Sequence, residues 1–403
     1  MPEGEQVAVR VLSRVRDVAE DQWNACAGDD PFLSFAFLDA LEESQSATAE
    51  EGWLPHHLAV EREGRLVAAA PLYVKGHSYG EYVFDWSWAN AFQRAGQSYY
   101  PKLQCCVPFT PVGGHRLLVH PEADAERYAK VLVGAMAELT ERMDLSGAHL
   151  SFLNRDQWEL CGEVGLLQRI GVQYHWHNDG YATYDDFLGA LLGRKRKNLR
   201  KERKQAAASG VDLVTLTGDE IEPAHWDAFY RFYRNTVDRK WGNAYLTREF
   251  FRILGATMPE RVVLVMGRHE GDWVAGALNL RSDRAIYGRY WGCRDRYKSL
   301  HFEVCYHRAI EFAIAHGLDR VEAGAQGEHK IQRGYVPVET YSAHHLAHPD
   351  FRAAVEAFLE REREGVREEI AFLTSQSPYR DDRALAREAR RTAGGRLERS
   401  SAG

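Results

Sequence analysis

The sequence predicts an α/β protein built from two similar units in tandem, each a mixed sheet flanked by helices. Three observations carry this reading. Residues 58–73, LAVEREGRLVAAAPLY, align with residues 265–280, VMGRHEGDWVAGALNL; Glu63-Gly64 falls on Glu270-Gly271, Val67-Ala68 on Val274-Ala275, and Ala70 on Ala277. Such self-similarity is the mark of a repeated unit. The order of predicted elements around the two segments is also the same. A chain of 403 residues is long enough for two cores.

Each copy opens with an aromatic helical segment, 32–41 and 226–237. The aligned segments then read as strand, tight Glu-Gly turn and strand, rich in small and β-branched residues. A third strand is expected at 82–86 in the first copy and 285–291 in the second. A helix follows, 126–142 and 302–316, with Val304, Ile310 and Ile314 at helical spacing. A short strand comes next, 147–153 and 319–324. A helix or turn then ends in Gln-Arg followed by Gly: Gln168-Arg169 with Gly171, and Gln332-Arg333 with Gly334. A final strand closes each copy. The expected units are residues 1–180 and 181–379, with a polar, Arg-, Ala- and Gly-rich tail at 380–403 that is frayed or disordered.

The net charge of −7 argues against a surface that coats nucleic acid, while leaving room for one basic groove. That groove has an obvious candidate. Residues 193–204, GRKRKNLRKERK, hold four Arg and four Lys against one Glu, a local charge of 8 − 1 = +7. They are good helix formers, and Gly210 is placed to end the helix. The six cysteines form no CxxC pair and no zinc-finger spacing, which fits reduced thiols. The N-terminus lacks a basic and apolar leader, and no apolar run reaches the ~18 residues of a membrane helix. A cytoplasmic chain without membrane insertion is the expectation.

The polar chemistry concentrates between residues 289 and 336. His301, Glu303, His307, Glu322, Gln326, Glu328, His329, Lys330 and Arg333 alternate there with strand-like and helix-like apolar runs. A strand, a loop and an apolar helix are how α/β proteins bring polar groups to the mouth of a sheet. The spacing of His301, Glu303, Cys305 and His307 does not set ligands on one helical face, and no HExxH occurs, so no metal is expected.

The element order is that of the Gcn5-related acetyltransferase (GNAT) fold, and two such units joined near a basic helix are similar to Fem-type aminoacyltransferases. The motifs WxW at 86–88, YYPKL at 99–103, PFTP at 108–111, HWHN at 175–178, RKRKNLRKER at 194–203, LHFEVCYH at 300–307 and GAQGEHKIQRGY at 324–335 carry the likeness further. Over roughly residues 20–380 the chain resembles the FemAB-like predicted N-acyltransferases of peptidoglycan biosynthesis or recognition. The resemblance implies amide formation between an activated acyl or aminoacyl donor and an amine on a small molecule or peptide. No tightly bound cofactor is expected; aminoacyl-tRNA or acyl-CoA would be the co-substrate, and tRNA a candidate partner. Where acetyl-CoA enzymes carry a Gly-rich phosphate loop, this chain reads Cys293-Arg-Asp-Arg-Tyr-Lys-Ser-Leu300 with no glycine pair, which lowers CoA.

Acyl transfer requires a base for the ammonium proton and donors for the developing oxyanion. Glu303, Glu328 and Lys330 are the expected catalytic residues: Glu303, Glu328, His301 and His329 are the candidates for the base, directly or through water, and Lys330 or Arg333 stabilises the oxyanion or holds an anionic group. His301, Glu322, Gln326, His329 and Arg333 are expected to bind substrate in the same region. In the first copy, Trp86, Trp88 and Tyr100 are candidate groove residues, and Lys102 a contact for an anionic acceptor. On the basic helix, Arg194, Lys195, Arg196, Lys197 and Arg200 are expected to hold an anionic partner. Two other readings fit the same residues: an acyl-CoA-dependent acetyltransferase of small amines, and a non-catalytic module that recognises cell-wall precursor or RNA.

Overall fold

The two Glu-Gly turns close equivalent hairpins. In a computed structural model, which describes residues 7–239, 242, 244–324 and 327–380, Glu63 and Gly64 have φ of 53° and 76°, and Glu270 and Gly271 have 51° and 92°. Two successive left-handed residues are what a two-residue hairpin loop requires, and glycine takes the second position without strain. Both hairpins carry a register shift at the same aligned position, Val60/Glu61 in one and Gly267/Arg268 in the other. Each is preceded by an antiparallel partner strand.

Among the described residues there are fifteen strands. The first half holds β1 (Val7–Leu12), β2 (Trp53–Pro55), β3 (His57–Arg62), β4 (Arg65–Ala70), β5 (Leu72–Lys75), β6 (Lys102–Cys105), β7 (Leu118–Val119), β8 (Gly147–Leu153) and β9 (Leu167–His177). The second holds β10 (Asp212–Thr217), β11 (Val262–His269), β12 (Asp272–Arg281), β13 (Ala285–Cys293), β14 (Arg320–Glu322) and β15 (Val336–Leu346). They form a four-stranded sheet, β1-β3-β4-β7, and an eleven-stranded sheet, β10-β11-β12-β13-β14-β9-β15-β8-β6-β5-β2. Pro71, with no N–H to give a ladder, separates β4 in the small sheet from β5 in the large one.

The expected fold class holds: the chain is a tandem GNAT-like α/β protein. The halves are not separate sheets, however. Each exchanges its last strand with the other. β9 lies between β14 and β15, and β15 lies between β9 and β8, so each half's parallel pair is completed by the other half's final strand. Another difference concerns the third strand expected at 82–86. Residues 82–85 are irregular, and Trp86–Arg94 is a helix. The extended segments of that copy are instead β5 and β6.

Helices cover the sheets as the apolar spacing predicts. Helix Ala125–Arg142, capped by Asp124 onto the Arg127 N–H, buries Tyr128, Leu132 and Met136 against Leu58, Val60 and Leu150. Helix Pro223–Arg239 lies so close to β13 that a Cβ on Gly292 would come within 2.1 Å of the Phe232 carbonyl. A shared core joins the halves, with Phe32, Phe37 and Leu41 packed on Phe250, Leu254 and Leu278. Each fully buried side chain of this size contributes roughly 1.5–3 kcal/mol. The long helix Pro349–Ser375 crosses back to the first half, where Glu362 pairs with Arg169 at 2.7 Å. Among the described residues no helix is long and apolar enough to cross a membrane. Of the tail at 380–403, only Arg380 is within the described residues.

Candidate functional site

The second half opens a gap in its sheet. β13 pairs in parallel with β14 only from Ala285 to Tyr287; from Gly288 onward it follows β12 alone. The gap holds a cavity of about 110 Å³ whose walls include Asn279, Arg289, Trp291, His301, Tyr306 and Ala323. The chain reaches its wall through the loop 294–299, which ends at Ser299 in a left-handed conformation (φ 61°), and then enters a helix. Residues Glu303–His307 form a π-helical turn at the cavity wall, a local widening often found at functional sites.

Lys330 is the notable charge beside this gap. It is 2% exposed, and its ammonium donates to the Gly324 carbonyl at 2.8 Å. It makes no ion pair among the described residues. Burial, reinforced by the charge of Arg289, pulls its pKa down to about 7. Next to it Glu328 and His329 are exposed, with His329 Nε2 at 3.0 Å from the Tyr306 hydroxyl. Glu322 is buried and pairs with Arg320 at 2.8 Å. Burial pushes its pKa up, but His175, Arg320 and Arg289 together hold it below the usual carboxylate value. Gln326 lies outside the described residues.

Glu303 is placed differently from a free base. It is 6% exposed, and its two oxygens accept from Arg203 Nε at 3.0 Å and Nη2 at 2.8 Å, with Arg308 at 3.6 Å. Arg203 also pairs with Glu311 at 2.7 Å and lies over the Tyr184 ring at 4.5 Å. Arg333 is likewise engaged, donating to Glu202 through Nε at 2.9 Å and to the His329 carbonyl at 2.7 Å while stacking on Phe302 at 3.5 Å. Glu202 accepts from His307 Nε2 at 2.8 Å as well, and His307 Nδ1 meets the Tyr184 hydroxyl at 2.7 Å. Glu303 and Arg333 therefore clamp the basic helix onto the cleft wall.

That helix, Gly193–Ala207, divides its charges by face. Leu199 and Ala206 are buried, and Glu202 and Arg203 make the clamps just described. Arg194, Lys197, Lys201 and Lys204 recur at spacings of three, four and three and are all exposed. Of the other expected contacts, Lys195 bonds Gln332, Arg200 pairs with Asp185 at 3.0 Å, and Arg196 is half-buried.

The first-half candidates lie elsewhere. Lys102 has no exposed surface and is held by Glu81 at 2.7 Å, Asp85 at 2.5 Å and Ser78 at 3.0 Å, so it does not reach an incoming anion. Its ammonium pKa is raised because those two carboxylates outweigh burial. Trp88 is core, 4% exposed and edge-on to His344 at 4.9 Å. Trp86 is exposed and packs on Tyr79, and the Tyr100 hydroxyl meets Ser78 at 2.8 Å. None of these residues lines the cavity.

The matching place in the first half is closed. β6 pairs in parallel with β8 over Leu103–Cys105, and the chain then returns so that Gly114 bridges Leu153 farther along β8. Arg116, fully buried there, donates to the carbonyls of Ser151 at 3.0 Å, His115 at 2.8 Å and Val112. Sequence reasoning missed Arg289, Tyr306 and the Glu202–Arg203 clamps. Arg289 had a signal: a lone cation inside the apolar strand pattern Ala-Ile-Tyr-Gly-Arg-Tyr-Trp. All six cysteines are free; burial raises the Cys305 thiol pKa, which is unsuited to a nucleophile. Among the described residues no group of three His, Cys, Asp or Glu side chains is arranged to hold a metal.

Comparison with known proteins places this geometry. No curated protein gives a sequence match. Among solved structures, the crystal structure of FemX shares the fold, with a TM-score of 0.53 and 11% identity over 84% of this chain and 98% of that one. So does a conserved protein of unknown function from Bacteroides thetaiotaomicron, with a TM-score of 0.51 and 11% identity over 84% of this chain and 100% of that one. The FemAB-like family model, described as peptidoglycan biosynthesis/recognition, matches residues 14–381. A match over so much of the sequence, on a chain with this sheet order, means that the protein belongs to the FemAB-like family.

Proposed function

We propose that the protein is an N-acyltransferase of cell-wall precursor metabolism that works in the cleft of its second half. The observation that carries this reading is Lys330: a buried ammonium with no carboxylate partner among the described residues, beside a strand gap that holds a small cavity. In the reaction, the nitrogen lone pair of a neutral amine attacks the donor carbonyl carbon. A C–N bond forms, and the carbonyl electrons move onto oxygen. Lys330, protonated, donates to that oxyanion in a low-dielectric site, where such a donor is worth most. The oxyanion then collapses, the C–O bond of an ester or C–S bond of a thioester breaks, and the leaving group takes a proton. His301, on the cavity wall, is the group we assign to relay the ammonium proton. Glu303 is given a positioning role instead, because Arg203 occupies its carboxylate.

Two features favour an aminoacyl-tRNA donor over acyl-CoA. The loop 293–299 has no glycine pair with which to cradle a pyrophosphate. The cationic stripe of the basic helix is clamped to the cleft wall through Glu202 and Arg203, a placement that suits a polyanion whose end enters the cleft. The test is to incubate the purified chain with charged tRNA and, separately, acetyl-CoA, in the presence of amine acceptors, and to look for amide products by mass spectrometry. Lys330→Met and His301→Ala should lower kcat rather than only raise KM. Binding of precursor or RNA without amide formation from either donor would replace this reading with a recognition module.

A further inference from the structure

Arg289 carries a half-buried guanidinium whose inner nitrogens are unpaired among the described residues. It sits on β13 two residues past the last pairing with β14. Its Nε and Nη2 are both buried, and neither has a hydrogen-bond partner among the described residues. Among the described residues it makes no ion pair. Its compensation comes from the charge of nearby Glu322 and from two rings, Phe32 at 5.2 Å and Tyr287 at 5.9 Å. Glu322, a buried carboxylate of the same region, is engaged with Arg320. Burial lowers the pKa of Arg289, yet a guanidinium stays charged at any physiological pH. A charge in such a place is costly unless something meets its donors.

Arg289 also stands between two spaces. It is part of the wall of the 110 Å³ cavity in the strand gap. It borders, too, a narrow apolar slot formed by Phe32, Phe37, Phe250 and Leu278, where the hydroxyl of Thr110, 3% exposed, likewise has no partner among the described residues. Two unmatched polar groups, one of them a planar fork of N–H donors, border the same slot. A carboxylate is planar, singly charged and geometrically matched to that fork. It would neutralise one guanidinium, whereas a phosphate dianion would bring a second negative charge among apolar walls.

We infer that Arg289 is the receptor for a substrate carboxylate, so the cleft takes an amino acid or peptide whose free carboxylate lies close to its reacting amine. The role of the amine rests on the proposed transfer; the carboxylate site does not, and it is tested by binding alone. The probe is N-acetylglycine, with N-acetylglycinamide as its neutral counterpart and inorganic phosphate as the competing anion, titrated into the full chain by ligand-observed NMR. The expected result is saturable binding of N-acetylglycine, at least tenfold tighter than of the amide or of phosphate. Arg289→Gln should abolish it, Arg289→Lys should weaken it, and Lys330→Met should retain it. Arg289→Gln should melt no lower than the parent chain, since the buried nitrogens of the guanidinium make no hydrogen bond among the described residues. Equal binding of acid and amide, binding that survives Arg289→Gln, or no binding at all would overturn the assignment. So would tighter binding of phosphate, which would make the site a phosphoryl subsite, or a large loss of stability in Arg289→Gln, which would make the guanidinium structural. Loss of transfer without loss of binding would instead count against the proposed reaction alone.

Discussion

Replacing Lys330 by Met should make the protein more stable and less active, and the size of the first effect follows from the site. An ammonium whose pKa falls from 10.5 to about 7 on folding is disfavoured in the folded state. At pH 7 the difference corresponds to about 4 kcal/mol of folding free energy. Removing the amine also removes its bond to the Gly324 carbonyl, worth about 1 kcal/mol, so the net gain is about 3 kcal/mol. Met keeps the length of the side chain and adds no charge. The sign with pH is fixed. Between pH 7 and 10.5 the unfolded chain binds more protons at this residue than the folded one, so the parent's stability rises with pH there. The penalty is complete below pH 7 and vanishes above 10.5. The advantage of Lys330→Met should therefore be largest near pH 6 and fade towards pH 10. Lys75, another buried lysine drawn to about 7 by burial, is present in both proteins and cancels. Urea unfolding at pH 6, 7 and 9 measures the effect, and the loss of one oxyanion donor predicts a kcat lower by roughly 10²–10³-fold. A variant that is less stable at pH 6, or whose stability difference does not change with pH, would refute the reasoning about the buried charge.

The other predictions follow from the clamps, the helix and the sheet. Glu303→Gln should cost about 1–3 kcal/mol in urea unfolding, less than a fully buried pair would, because Arg203 is a quarter exposed and keeps Glu311; an unchanged midpoint would show that the clamp is inert. Changing Arg194, Lys197, Lys201 and Lys204 to Ser should weaken tRNA binding and lower the log–log salt slope by about 3, whereas an unaltered slope would make the stripe a solvated face. Residues 1–180 produced alone should fail to give a cooperative unfolding transition, since β8 and β9 would both lack β15; a sharp transition in that fragment would mean the strand exchange is dispensable.

The fold was legible because the sequence repeats its own local physics. The Glu-Gly turns, the apolar spacing of 126–142 and the strand at 147–153 needed no distant partner to be recognised. The third strand of the first copy was misplaced because Trp86, Ser87 and Trp88 carry strand-like aromatic spacing yet turn into a helix that buries Trp88 and Phe92. The strand exchange was invisible, since nothing in β9 or β15 marks which parallel pair each will join. The site was legible as a region but not as roles. Glu303 looked available until Arg203, a hundred residues earlier, was placed on it. Lys102 looked like a contact for an anion, but its anions are Glu81 and Asp85. Long-range ion pairing decides such cases, and sequence spacing carries no information about it.

The two halves make the argument for the second one by contrast. Each has a parallel strand pair that ends early, and each places an arginine near the end of it, buried in the first half and half-buried in the second. In the first half the chain doubles back, Gly114 extends the edge along β8, and the guanidinium of Arg116 donates to three carbonyls. Nothing is left for a ligand to supply. In the second half no such return occurs: β13 runs on beside β12, a cavity remains, and among the described residues neither Arg289 nor Lys330 makes an ion pair. A fold selected for stability alone would close that gap as the first half does, because unmet buried cations cost more than almost any packing defect. Their retention in one half is intelligible if a substrate brings the missing negative charge, first as a bound carboxylate and then as the oxyanion of the reaction.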